Sequence, residues 1–158
     1  MAMELLEMRR IEASALAEMY RTVSEMQGPG AAMMVLRRTL DRLAFAAGRE
    51  FAKGAPKGVP SLAHFATIVE RWKGSGALTI GNLKKGKNDL RFEVTRCAYA
   101  EAYKDMGLPD ELVRTLSCVR DAPFAQGYSD RLELVRTHTV AEGAPCCDFR
   151  FIWRPAKK

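Results

Sequence analysis

The chain has no uninterrupted apolar run near its start: Met1-Ala2-Met3-Glu4-Leu5-Leu6-Glu7-Met8-Arg9-Arg10 alternates charged and apolar residues. That excludes the apolar core of a signal peptide and the stretch of about 20 apolar residues that a membrane-spanning helix needs. A cytoplasmic address and no membrane partner are the expectations. There is no CxxC pair, so the four cysteines, Cys97, Cys118, Cys146 and Cys147, do not announce a metal site by spacing alone. In a reducing compartment they stay free thiols, open to service as nucleophiles, ligands or small apolar packing. Aromatics make up only 8% of the residues, and no stripe of them interleaves with basic side chains. The net charge of +6 is spread thinly over 158 residues, so nucleic acid is not an expected partner. The densest basic run, residues 82–88, reads as a solvated hairpin loop.

What is present is apolar patterning. At 47% hydrophobic, the chain is long enough for one compact domain, 1–158, with a helical part over 1–74 and a sheet-containing part over 75–154. Leu16, Met19, Tyr20, Val23 and Met26 recur at helical spacing, and Gly28-Pro29-Gly30 ends that helix. A second helix is expected from about Ala31 to Phe51 on the stripe Leu36, Leu40, Leu43, Ala47 and Phe51. Ser61 is a plausible N-cap for a third, to about Lys73.

The period then changes from 3.6 to 2. Residues 78–81 and 90–96 read as an antiparallel hairpin, followed by a helix from Cys97 to Met106 and a short one from Pro109 to about Leu116. A second hairpin is expected from Arg131–Thr139 and Cys146–Arg154. The fold class is α+β, with N-terminal helices packed on an antiparallel sheet of about four strands.

Alternation sorts the polar residues by face. Leu132 and Leu134 share a face with Arg136 and His138, Cys147 shares one with Phe149 and Phe151, and Arg96 continues the face of Leu90, Phe92 and Val94. An apolar face that turns polar at one rim suits a ligand pocket, although strand ends also emerge into water carrying such residues. Cys97 follows a strand and opens a helix, where the dipole favours the thiolate. Cys118 stands three residues before Asp121, so one tight turn can present both. Cys146 faces away from Cys147 and reads as idle.

Arg96-Cys97, the Met106-Gly107-Leu108-Pro109 junction, Cys118-Val119-Arg120-Asp121, Arg136-Thr137-His138-Thr139 and the segment Glu142 to Phe149 occur in order. Together they resemble the L-2-amino-thiazoline-4-carboxylic acid hydrolase family, well over 90–151 and in general layout before it. The ending Gly143-x-x-x-Cys147-x-Phe149 is also similar to the close of 4-vinyl reductase type ligand-binding domains. That type can hold zinc, with a further cysteine near the position of Thr139, whose place Cys97 would take here.

The first resemblance implies hydrolysis of a small cyclic amidine or amide bearing a carboxylate, opened to a carbamoyl amino acid. Such chemistry needs a nucleophile or activated water, a proton donor and a cation for the carboxylate. Arg136, with Arg96 beside it, is the expected cation. Asp121 is the expected general base, with Asp148 the alternative, and His138 can shuttle a proton. Cys118 or Cys147 attacks directly, or with Cys97 holds a zinc ion whose water attacks. The cofactor is therefore none or zinc. The competing reading is a non-catalytic domain that binds or senses an anionic small molecule. A third is an interaction module whose apolar helix faces pair in a homo-oligomer.

Overall fold

The computed structural model describes residues 3–156. Two long helices, α1 (Leu5–Gln27) and α2 (Pro29–Lys53), lead the chain. Only Gly28 separates them: at φ 90° it adopts a conformation closed to most side chains, and Pro29 then starts α2, where its missing N–H has no partner to lose. The proline thus opens a helix as well as following one. The buried stripe of α2 is Ala32, Leu36, Leu40, Ala44 and Gly48, while Leu43 is 44% exposed. Small residues replace the expected bulky ones where another helix lies close.

The expected third helix is two short ones, α3 (Leu62–Phe65) and α4 (Ile68–Trp72). Ser61 does cap the first, its side chain accepting the His64 N–H at 3.2 Å. The buried Tyr128 hydroxyl fastens this junction from afar. It accepts from Ser61 N, donates to Ser61 O, and meets His64 Nδ1, each at 2.9 Å. Tyr128→Phe should leave Ser61's backbone groups without their partner and cost about 2 kcal/mol, read as a lowered midpoint in urea unfolding. An unchanged midpoint would show the network to be dispensable.

Strands β1 (Leu78–Lys85) and β2 (Asp89–Cys97) form the first hairpin, with Lys84 and Lys85 inside the edge strand and the turn confined to Gly86–Asn88. After it come α5 (Ala98–Asp105), α6 (Asp110–Cys118), α7 (Asp121–Tyr128), β3 (Leu132–Val135) and β4 (Cys147–Trp153). All pairings are antiparallel, in the order β1-β2-β4-β3.

Helix α7 was not expected. Pro123 lies in its first turn, where a helix tolerates proline, and Gly127 is required by packing. Cβ atoms on Gly48 and Gly127 would run into the main-chain oxygens of Phe124 and Phe45, respectively. Helices α2 and α7 therefore meet backbone to backbone.

The inner face of the sheet carries Leu90, Phe92 and Val94 opposite Phe151, Phe149 and Cys147. These pack on Phe65, Ile68, Val69, Ala125 and Tyr128 from the short helices and α7. A second apolar cluster joins α1, α2, α5 and α6 through Ala13, Leu36, Leu40, Tyr103, Val113 and Leu116. Cys97 touches both clusters. The seam between them is where a cavity opens.

Candidate functional site

Two local departures from regular strand geometry decide which side chains reach the seam. In the first hairpin Thr79 pairs with Arg96 but Ile80 pairs with Val94, so Thr95 is an extra residue in β2. This bulge breaks the alternation. Thr95 and Arg96 both face outward, and Cys97, not Arg96, turns inward. Arg96 is half exposed, paired with Glu101 at 2.5 Å. The inward face ends in a thiol instead of a guanidinium.

In the second hairpin β3 stops at Val135, four residues short of the expected Thr139. The Asp148 carboxylate captures the amides of Thr137 and His138, each at 2.9 Å, so these two amides bond a side chain instead of a ladder partner. Arg136 and His138 consequently no longer share a face. Arg136 points into the seam and His138 points out.

The seam cavity has a volume of about 140 Å³. Its walls include Trp72, Val94, Tyr99, Leu116, Phe124 and Phe149, and its polar groups are Cys97, Cys118, Cys147, Asp121, Arg136, Arg120, Arg9 and Arg71. An engineered cavity of about 150 Å³ accepts benzene, so this space suits one small ring. Cys118 closes α6 and Asp121 opens α7, which is how their three-residue spacing brings both to the same wall. Arg136 donates from Nη1 to Asp121 Oδ2 at 2.5 Å and from Nη2 to the Cys118 carbonyl at 2.9 Å. Its guanidinium also stacks over Phe149, 4.8 Å from the ring centre.

Burial controls the ionisation here. It pushes the Cys97 and Cys147 thiols up to about 11 and raises Cys118 as well. For Cys97 the amides of Tyr99 and Ala100 at the start of α5 pull the other way, and burial outweighs them, contrary to the thiolate expected at that helix start. Burial also raises Asp121 above the usual carboxylate range, only partly offset by Arg136. The cavity thus holds neutral thiols beside a carboxylate of raised basicity.

Arg9 and Arg120 were not singled out from sequence. They grip Glu12 from two sides, at 2.6 and 2.9 Å. The signal was present in α1, where Arg9 and Glu12 fall at helical spacing between Leu5 and the buried Ala13, opposite charges inside an apolar stripe. Arg71 also lines the cavity and has no ion pair among the described residues.

Zinc is not accommodated by this arrangement. Cys97, Cys118 and Cys147 border one cavity, but among the described residues no three His, Cys, Asp or Glu side chains stand close enough to share a metal ion.

His138 and Asp148 lie outside the cavity. His138 lines a separate open cleft of about 1080 Å³ with Arg37, Arg42 and Arg114; Cys118 and Arg136 border both spaces.

No curated protein matches the chain. Among solved structures, the crystal structure of the phenol-responsive sensory domain of the transcription activator PoxR with phenol is similar in fold. It is 12% identical, with 89% of this chain and 73% of that one covered, at a TM-score of 0.55. No described helix is long and apolar enough to cross a membrane. The family model for L-2-amino-thiazoline-4-carboxylic acid hydrolase matches residues 8–151, the span that contains the buried residues of both apolar clusters and every polar group named for the cavity, and the chain belongs to that family.

Proposed function

We propose that the protein is a hydrolase that opens a small carboxylate-bearing ring, of the 2-amino-thiazoline-4-carboxylate kind, to a carbamoyl amino acid. The observation that carries this reading is the meeting of a raised carboxylate, neutral thiols and several guanidiniums around a cavity the size of one small ring. Attack at the ring carbon between nitrogen and sulfur builds a tetrahedral centre. Asp121 takes the proton from the attacking group, a water or the thiol of Cys118 or Cys147, and returns it to the ring atom that leaves; on the thiol route a water, deprotonated by Asp121, then attacks the sulfur-bound carbon, and the enzyme thiol leaves with that proton. A carboxylate with raised pKa is the better base for this near neutral pH.

Arg136 uses two of its N–H donors on Asp121 and the Cys118 carbonyl, which leaves others for the substrate carboxylate. Arg71 is a second cation for that group. Arg96, His138 and Asp148 have no part in this reading because they face away from the cavity. Product formation from L-2-amino-thiazoline-4-carboxylate, followed by mass spectrometry, is expected for the unaltered protein. Asp121→Asn should lower it by about a hundredfold or more. Equal turnover by the variant would remove Asp121 from the mechanism.

A second reading, a non-catalytic small-molecule-binding domain, draws support from the fold shared with the PoxR sensory domain. Saturable binding of the same compound by calorimetry with no product would favour it.

A further inference from the structure

Cys146 lies on the opposite side of β4 from the cavity and is half-buried. Its Sγ is 3.6 Å from His138 Nε2. The other ring nitrogen, Nδ1, is 2.9 Å from Thr137 Oγ1, which in turn donates to Asp148 Oδ2 at 2.6 Å. These contacts fix the tautomer. Because the Thr137 hydroxyl hydrogen goes to Asp148, its oxygen accepts from His138 Nδ1–H, and Nε2 keeps a lone pair facing the thiol. Asp148 can anchor the chain at any pH of interest. Burial alone would raise it, but the Thr137 hydroxyl and the amides of His138 and Thr137 hold it at about 2.

We propose that Cys146, His138 and Asp148 form a second thiol site that exchanges with small cationic disulfides. The proton of Cys146 passes to His138 Nε2, and the sulfur attacks one sulfur of the disulfide. The new S–S bond forms as the old one breaks, and the departing thiolate takes the proton from His138. Cys146 is oxidised and the leaving sulfur reduced, with the small disulfide as oxidant.

Exchange is favoured over acyl transfer by the surroundings. The amides of Thr137 and His138 already donate to Asp148, so they cannot hold an oxyanion. Burial and, after it, the negative charges of Glu93 and Asp148 raise the pKa of the thiol, so it reacts through His138 and not as a standing thiolate. The same charge favours a cationic disulfide. The site does not depend on the hydrolase reading.

The test is incubation of the native protein with cystamine at neutral pH, followed by peptide mass spectrometry. Cys146 should form the mixed disulfide before Cys97, Cys118 and Cys147. His138→Gln should slow Cys146 by about a hundredfold, with an unchanged circular dichroism spectrum and unchanged rates at the other thiols. Thr137→Val, which keeps the shape but removes the hydroxyl, should also slow it. Modification of the cavity thiols first, or equal Cys146 rates with and without His138, would overturn the site. Faster reaction with oxidised glutathione, an anion, would overturn the preference for cationic disulfides.

Discussion

Arg136→Ala is expected to lower stability by about 3 kcal/mol, a fall in Tm of roughly 10 °C for a chain of this size. The side chains of Arg136 and Asp121 are only 13% and 19% exposed, so removing the cation leaves a carboxylate in a poorly solvated place without its hydrogen-bonded partner, with only the more weakly acting Arg120 and Arg9 as opposite charge. The Cys118 carbonyl and the Phe149 ring lose their partner as well. A pH signature separates the charge effect from simple loss of packing. With the guanidinium gone, burial of Asp121 loses its largest offset and keeps only those of Arg120 and Arg9, so its folded pKa lies further above the unfolded value. A carboxyl whose folded pKa is raised binds its proton more tightly in the folded state, and it destabilises that state as pH rises through the folded value. The deficit of Arg136→Ala should therefore be largest at neutral pH and shrink as pH falls toward the ordinary carboxylate range. Thermal melts at neutral and mildly acidic pH check this. A deficit under about 1 kcal/mol that does not change with pH would mean the pair contributes little, as exposed pairs do.

The same pair is where stability and chemistry compete. A base buried deeply enough to have a raised pKa is costly to the fold, and Arg136 reduces that cost while also lowering the basicity that the reaction needs. Asp121→Asn should remove turnover and lower stability less than Arg136→Ala does, because the Arg136 guanidinium loses its counter-ion but asparagine keeps an oxygen that can accept from it. Loss of activity out of proportion to the loss of stability would mark the carboxylate as present for function.

Residue patterning carried the fold a long way and the site part of the way. The α+β class, the two hairpins and the Ser61 cap followed from periodicity and capping chemistry, because those are local. Asp121, Arg136, Cys118 and Cys147 were identified together and do line one cavity. What was misread depended on non-local compensation. The Thr95 bulge exchanges Arg96 for Cys97 at the inner face, yet nothing in Val94-Thr95-Arg96-Cys97 distinguishes a bulged strand from a regular one. The early end of β3 depends on Asp148, ten residues or more along the chain, accepting two amides. That separated His138 from Arg136 and joined it to Cys146, a residue read as idle. Helix α7 was hidden by a proline that its first turn tolerates and a glycine that its neighbour demands.

That glycine contact sets the last large effect. Gly48→Ala and Gly127→Ala should each destabilise by about 3 kcal/mol, the upper end of what overpacking costs. Elsewhere in a helix the same change is favourable by up to about 1 kcal/mol, since alanine forms helix better than glycine. At Gly48 the added methyl meets the Phe124 carbonyl and lies 2.9 Å from Tyr128 N; at Gly127 it meets the Phe45 carbonyl, with the Phe45 Cα at 2.9 Å. These are main-chain atoms of helices, which cannot rotate away as a side chain would, so α2 and α7 must separate. Gly30 supplies the control because it also lies in α2, with nothing within 4 Å of an added Cβ. Gly30→Ala should be neutral or stabilising, with the opposite sign to Gly48→Ala in denaturant midpoints. The strain also reaches the cavity, because α7 opens with Asp121 and includes Phe124 of the cavity wall. Turnover by any folded fraction of Gly127→Ala should therefore fall more than its folded population does. Gly48→Ala and Gly30→Ala shifting the midpoint in the same direction would mean that the two helices can part at little cost, and that the position of Asp121 does not depend on their contact.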